Sequence, residues 1–288
     1  MKDSKLSPTQ KLTFAAMLLA LAVISTFVAK SISLPFLSSF PFLRFSLTPA
    51  IIIYTSITLG PLYGMVVGAA ADLIPAFVAS TGSYNFLITI VYALFGVLPW
   101  ALEKFTKRFR SGLRKPYAFY GALALILVAV TLIFYLTDWL DSSFGNSGIW
   151  AKPTILGVIF LLDVGMGFGL YFTNRYYQKR ILEYPDVPSP NEIAVIDLVG
   201  EVVVLDALKA LAFYVFYTWI DNGHFVVPFS FAFAMLLMGA PFSILISTFL
   251  DSRLLIYTKK FIRSYGYPIS DSLKKERKSE EKESISKS

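Results

Sequence analysis

Long apolar runs recur along this chain, and they constrain it more than any other feature. A helix that crosses the hydrocarbon core of a bilayer needs roughly 20 mostly apolar residues. Several runs approach or reach that length. Only helices and closed barrels satisfy their backbone polar groups in lipid, and these runs are apolar throughout rather than alternating. Composition agrees: of 288 residues, 56% are hydrophobic and only 16% charged, too few charges to cover a soluble surface of that size. The chain reads as an all-α integral membrane protein, a bundle of about eight spans over residues 12–33, 45–60, 61–79, 85–103, 117–137, 153–176, 199–220 and 227–250. It has no cysteine, which excludes disulfides, thiolate metal sites and cysteine nucleophiles.

Lysines and arginines set the expected orientation, because they collect on the cytoplasmic side of membrane helices. Lys104, Lys107, Arg108, Arg110, Arg114 and Lys115 follow the fourth run. Arg175, Lys179 and Arg180 follow the sixth, and Lys259, Lys260 and Arg263 the eighth. With Lys2, Lys5 and Lys11 at the N-terminus, an even number of spans puts all of these on one side. The opposite loops hold acid instead, such as Asp138, Asp141 and Asp221. Both termini are therefore expected in the cytoplasm, in a multi-pass protein of the cytoplasmic (inner) membrane. The net charge of +7 is then a topology signal and not a nucleic-acid footprint. The run over residues 12–28 exceeds the roughly 7–15-residue core of a signal peptide and reads as a retained first span. Residues 1–255 form the expected transmembrane helical domain. Residues 256–288 form a charged cytoplasmic tail whose Lys/Glu/Ser-rich part is expected to be disordered. The loop 177–198 reads as a short interfacial helix or a plain linker.

An ionisable side chain within a span is costly and marks a functional candidate. Arg44, Asp72, Asp163, Glu201, Asp206 and Lys209 qualify. Asp206 and Lys209, three apart, are expected to pair along one helix face. Asp197 and Glu201 read as acids at a solvated helix start, where the positive end of the helix dipole favours them. Asp72 stands apart. It follows Gly60, Gly64 and Gly68 at steps of four, on one slowly drifting face of the third helix, where glycines admit a neighbouring backbone. Gly60-Pro61 reads as a tight turn before that helix. Arg44, just before the second helix, falls on the same side as Asp72. Two readings stand open: a structural Arg44–Asp72 ion pair, or a ligand site using one or both. The turn-rich loop Ser80-Thr-Gly-Ser-Tyr-Asn85 follows Asp72, with Tyr54 and Tyr92 nearby in the sequence plan. It is either a lid over an aromatic ligand or an ordinary turn.

The stretch Leu43-Arg44-Phe-Ser46-Leu-Thr-Pro49, followed by Leu59-Gly60-Pro61-Leu-Tyr-Gly64-Met-Val-Val-Gly68-Ala-Ala-Ala-Asp72-Leu-Ile74 and then Thr81-Gly82, resembles the S components of energy-coupling factor (ECF) transporters, especially the folate-type group. The likeness covers about residues 10–103. Such S components normally have about six helices, so residues 117–180 read as an inserted helical hairpin. An even number of added spans leaves the orientation of the termini unchanged. The resemblance implies a subunit that captures a vitamin at the extracellular face and docks on a transmembrane coupling subunit driven by two cytoplasmic ATPases. It implies no cofactor. Ala16 and Ala20 match the family's Ala-x-x-x-Ala docking strip in the first helix; small residues at that spacing allow helices to pack closely in lipid. For a folate-like ligand, Asp72 would accept the adjacent N–H donors of the pterin in charge-assisted hydrogen bonds. Tyr84 or Phe86 would stack on the ring, and Arg44 would meet a carboxylate of the glutamate tail. Tyr54, Asn85 and Tyr92 complete the expected lining.

Riboflavin, thiamine or a queuosine precursor would need a similar aromatic, partly polar pocket. An intramembrane enzyme is disfavoured by the side chains present. His224, in an expected extracellular loop, is the only histidine, so no zinc motif is present and a serine nucleophile would lack an intramembrane histidine base. Aspartate-based chemistry with Asp72, Asp163 and Asp206 stays open but shows no paired motif. A stand-alone secondary transporter would show two related halves, and no second copy of the Gly-Pro…Ala-Asp-Leu-Ile unit follows.

Overall fold

The computed structural model describes residues 7–31, 47–78, 84–109, 164–177, 187–216 and 229–265, with the isolated positions 157, 161 and 218. Among these every element is a helix. We number them α1 (Pro8–Ser31), α2 (Thr48–Leu59), α3 (Pro61–Val78), α4 (Phe86–Arg108), α5 (Pro190–Leu198), a π-helical segment (Val199–Asp206), α6 (Ala207–Val215) and α7 (Phe229–Tyr265). Among the described residues, four stretches are long and apolar enough to cross a membrane: Pro8–Val28, Pro61–Val78, Phe86–Arg108 and Ala240–Lys260. Arg44, Asp163, His224, the run 117–137, most of the expected hairpin, the loop 79–83 and the tail beyond Tyr265 lie outside the described residues.

Why α2 and α3 break where they do is visible at Gly60. Its φ of 105° lies in the region that only glycine enters freely, and Pro61 supplies a preset first helical residue. The chain thus reverses in one residue and α3 returns antiparallel along α2. At 12 residues, α2 is only about 18 Å long, but it lies in the interior, with Ile51, Ile52, Ile53 and Tyr54 all buried. Its ends need not match the bilayer.

Among the described helices, α3 and α4 are the most closely packed pair. A Cβ placed on Gly64 would fall 2.1 Å from the carbonyl oxygen of Gly96, and one on Gly68 would fall 2.3 Å from that of Tyr92. The glycine stride of α3 is therefore a backbone-to-backbone seam, as the spacing predicts. Gly96, on α4, is its partner. Trp100 N–H donates to Ser56 Oγ at 3.2 Å and ties α4 to α2 as well.

Asn85 starts α4. Its Oδ1 accepts from Leu87 N–H at 3.0 Å, and its Nδ2 donates to the Ala212 carbonyl at 3.2 Å. One buried amide so caps α4 and braces α6. Asn85→Ala is expected to cost about 2 kcal/mol, through a lost cap and an orphaned carbonyl. Thermal unfolding would show it as a lowered midpoint, and an unmoved midpoint would sink the bracing role.

Two helices depart from the sequence reading. The stretch from Pro190 is a buried helix and not a plain linker. Ser189 caps it: its Oγ accepts from Glu192 N–H at 3.3 Å and donates to Glu192 Oε1 at 3.1 Å, and a serine in that position satisfies one of the free N–H groups of the first turn. α5 then runs without a break through the π segment into α6, and Ile193 and Ile196 are fully buried. α7 continues past residue 250 to Tyr265, because Leu255 and Ile256 pack into the core and reward the extra turns.

Candidate functional site

The antiparallel seam of α3 and α4 sets the site. Gly64 meets Gly96 and Gly68 meets Tyr92. One more turn in that register brings Asp72 to Thr89. Thr89 Oγ1 donates to Asp72 Oδ2 at 2.5 Å, and the Tyr84 hydroxyl is 2.5 Å from Thr89 Oγ1. With the threonine proton given to the carboxylate, Tyr84 is the donor to Thr89. The three form a short polarised chain, in which each hydrogen bond strengthens the next. Tyr84 also stacks at a tilt on Phe77, with centroids 5.6 Å apart.

Lys209 of α6 enters from the opposite side. Its ammonium donates to the Tyr92 hydroxyl at 2.9 Å and stands 4.5 Å from the Tyr92 ring centroid. Asp72 and Asp206 both lie within electrostatic range of it. The expected Asp206–Lys209 ion pair does not form. The only salt bridge within 4.0 Å among the described residues is Lys107–Glu103. The cause is a competing partner: the Tyr92 hydroxyl of α4 takes the Lys209 ammonium. Lys209 is turned toward α4 instead.

The sequence-derived lining divides accordingly. Asp72, Tyr84 and Tyr92 come together with Thr89 and Lys209. Phe86 is exposed at the start of α4. Asn85 is consumed by its cap and its bond to α6. Tyr54 lies roughly 9 Å deeper toward Gly60 by helix rise, where its hydroxyl bonds Thr258 of α7. Ala16 and Ala20 sit on the outward face of α1, opposite the buried Ala15, Leu18 and Ala22. Thr89 carried no signal in the sequence, because a threonine in an apolar helix is unremarked until a carboxylate is placed beside it.

A second polar cluster lies toward the Gly60 end, and here the sequence reading is overturned. Asp197 and Glu201 are not solvated: they are 0% and 3% exposed. They face α7, which covers the turn that sequence alone left open to water. Thr248 Oγ1 donates to Asp197 Oδ2 at 2.7 Å. Asp251 of α7 is fully buried in the same region. Comparison with protein-family models, curated proteins and solved structures found no match to this chain.

Proposed function

We propose that this membrane protein is the substrate-binding subunit of an ATP-driven ECF-type importer and captures a vitamin, a folate or related compound, near Asp72. One observation carries the reading. Within the bundle, an acid, a cation and two tyrosines (Asp72, Lys209, Tyr84 and Tyr92) are drawn to one place beside a seam of glycines. Polar groups are expensive in a membrane interior and mark ligand sites there.

The chemistry suits a pterin with a glutamate tail. Asp72, oriented by Thr89, presents a carboxylate to paired N–H donors. Tyr84 and Tyr92 offer aromatic faces. Lys209 offers a positive charge to a tail carboxylate, alongside Arg44 in the reading drawn from the family resemblance. Ala16 and Ala20 give α1 a smooth outward strip against which a transmembrane coupling subunit would pack; the two cytoplasmic ATPases would drive that subunit. The protein acts as a binding subunit and does no bond-breaking chemistry of its own.

The test is to purify the full chain in detergent, denature it and identify the released small molecules by mass spectrometry and absorbance. A folate at near-equimolar amount is the expected result. An empty protein that also ignores added folate, riboflavin and thiamine would overturn the proposal.

A further inference from the structure

The cluster near the Gly60 end has a composition that the vitamin site does not explain. Three carboxylates, Asp197, Glu201 and Asp251, are almost wholly buried, with exposures of 0%, 3% and 0%. They are mutual electrostatic neighbours. Asp197 Oδ1, Glu201 Oε1 and both oxygens of Asp251 have no hydrogen-bond partner among the described residues. Burying one such charge without compensation is already severe. Among the described residues, Lys209 is the only cation that acts on any of them. It reaches Glu201 alone, at a distance, and is engaged by Tyr92 and drawn by Asp206 and Asp72.

A separate side chain points to what completes the cluster. Ser247 is 2% exposed, and its hydroxyl has no hydrogen-bond partner among the described residues. It lies against the Asp197 carboxylate without bonding to it in good geometry. One turn along α7 from Asp251, it presents a lone pair to the same space. Thr248, beside it, gives its proton to Asp197 and keeps its own lone pairs free. All donors are oxygens, the hard set that suits alkali and alkaline-earth ions rather than transition metals. No three acidic or histidine side chains among the described residues converge tightly enough to chelate a metal ion. What remains is an ion content with two carboxylates and with hydroxyls. The π segment begins just after Leu198, and π turns recur at functional sites.

We infer that Asp197 and Asp251, with the hydroxyls of Ser247 and Thr248, form a binding site for one alkali cation of the sodium type, separate from the vitamin site. Glu201 adds a further negative charge at its edge. The site stands on α5 and α7 alone and does not depend on which vitamin is carried, or on whether ATPases drive the import.

Sodium itself is the probe. The full chain in detergent is unfolded thermally, with tryptophan fluorescence as readout, in choline, potassium, sodium or calcium chloride at matched ionic strength and fixed pH. Sodium is expected to raise the midpoint saturably, by roughly 5 °C over choline. Asp251→Asn should abolish that increment. Ser247→Ala should fold normally and shift the half-saturating sodium concentration upward about tenfold. Asp72→Asn should leave the increment intact. Equal midpoints in sodium and choline would overturn the inference. So would an increment that survives both Asp251→Asn and Ser247→Ala, or a larger effect of calcium. If Asp251→Asn does not fold, Ser247→Ala alone decides.

Discussion

Asp72→Asn is expected to weaken vitamin binding by about a hundredfold while the protein stays folded, since a charged hydrogen-bond partner is worth about 1.5–3 kcal/mol. The amide keeps the size of the carboxylate and can still accept the proton of Thr89, now found at 2.5 Å, so the seam of α3 and α4 has no reason to open. What disappears is the charge. Hydrogen bonds to an ionised acceptor are roughly twice as strong as neutral ones. The substituted amide would also present an N–H where the ligand presents N–H donors. Titration calorimetry with the vitamin that copurifies checks the affinity, and the unfolding midpoint checks the fold. Thr89→Val should fall between the two, at about tenfold, because it leaves the carboxylate in place and removes only what aims it. Unchanged affinity in Asp72→Asn would eliminate Asp72 as an ionic ligand.

The other large effect belongs to Gly64. Valine there should unfold the protein or leave it aggregated, with a cost of about 3 kcal/mol or more. A Cβ would sit 2.1 Å from the Gly96 oxygen and 2.8 Å from Ser56 Cβ, with the Ser56 backbone at 3.0 Å. Backbone stands on both sides, so no flexible side chain can yield, and the helices must part. Two glycine controls separate this from a general intolerance. Gly165→Ala meets nothing within 4 Å and should be neutral or slightly stabilising, as alanine in place of a helical glycine usually is. Gly60→Ala also meets nothing within 4 Å, yet its φ of 105° strains any L side chain, so a loss of about 1–2 kcal/mol is expected. The ranking of the three midpoints is the measurement. Gly64→Val no less stable than Gly60→Ala would refute the seam.

How much of this is legible in the sequence follows from what each feature depends on. The spans α1, α3 and α4 depend on apolar length, which is written in the residues themselves. The Gly60-Pro61 reversal depends on two local conformational preferences and is equally readable. The glycine stride of α3 announces a close partner but cannot say which. Gly96 becomes that partner through helix register, a property of packing. The same limit hides Thr89 behind Asp72. The spacing of an α-helix assigns Lys209 to Asp206, and Tyr92, far away in sequence, takes it instead. Asp197 and Glu201 look like a wet helix start because nothing nearby in sequence covers them. Asp251 escapes notice because the last apolar run, read from sequence, stops at Leu250. Its continuation through Leu255 and Ile256 is justified only by the core they enter.

α7 also has a length that the bilayer cannot contain. Its 37 residues rise roughly 55 Å, against a hydrocarbon core of about 30 Å. Tilt absorbs only a part of the excess, so one or both ends must stand clear of the lipid. Charge returns to the helix surface at Arg253, which is exposed, and again at Lys259 and Lys260. Asp251 stands two positions before the first and eight before the second, roughly 3 Å and 12 Å along the helix by rise. α7 is therefore a ruler: one unbroken helix fixes the spacing between a buried carboxylate and the cations that follow it.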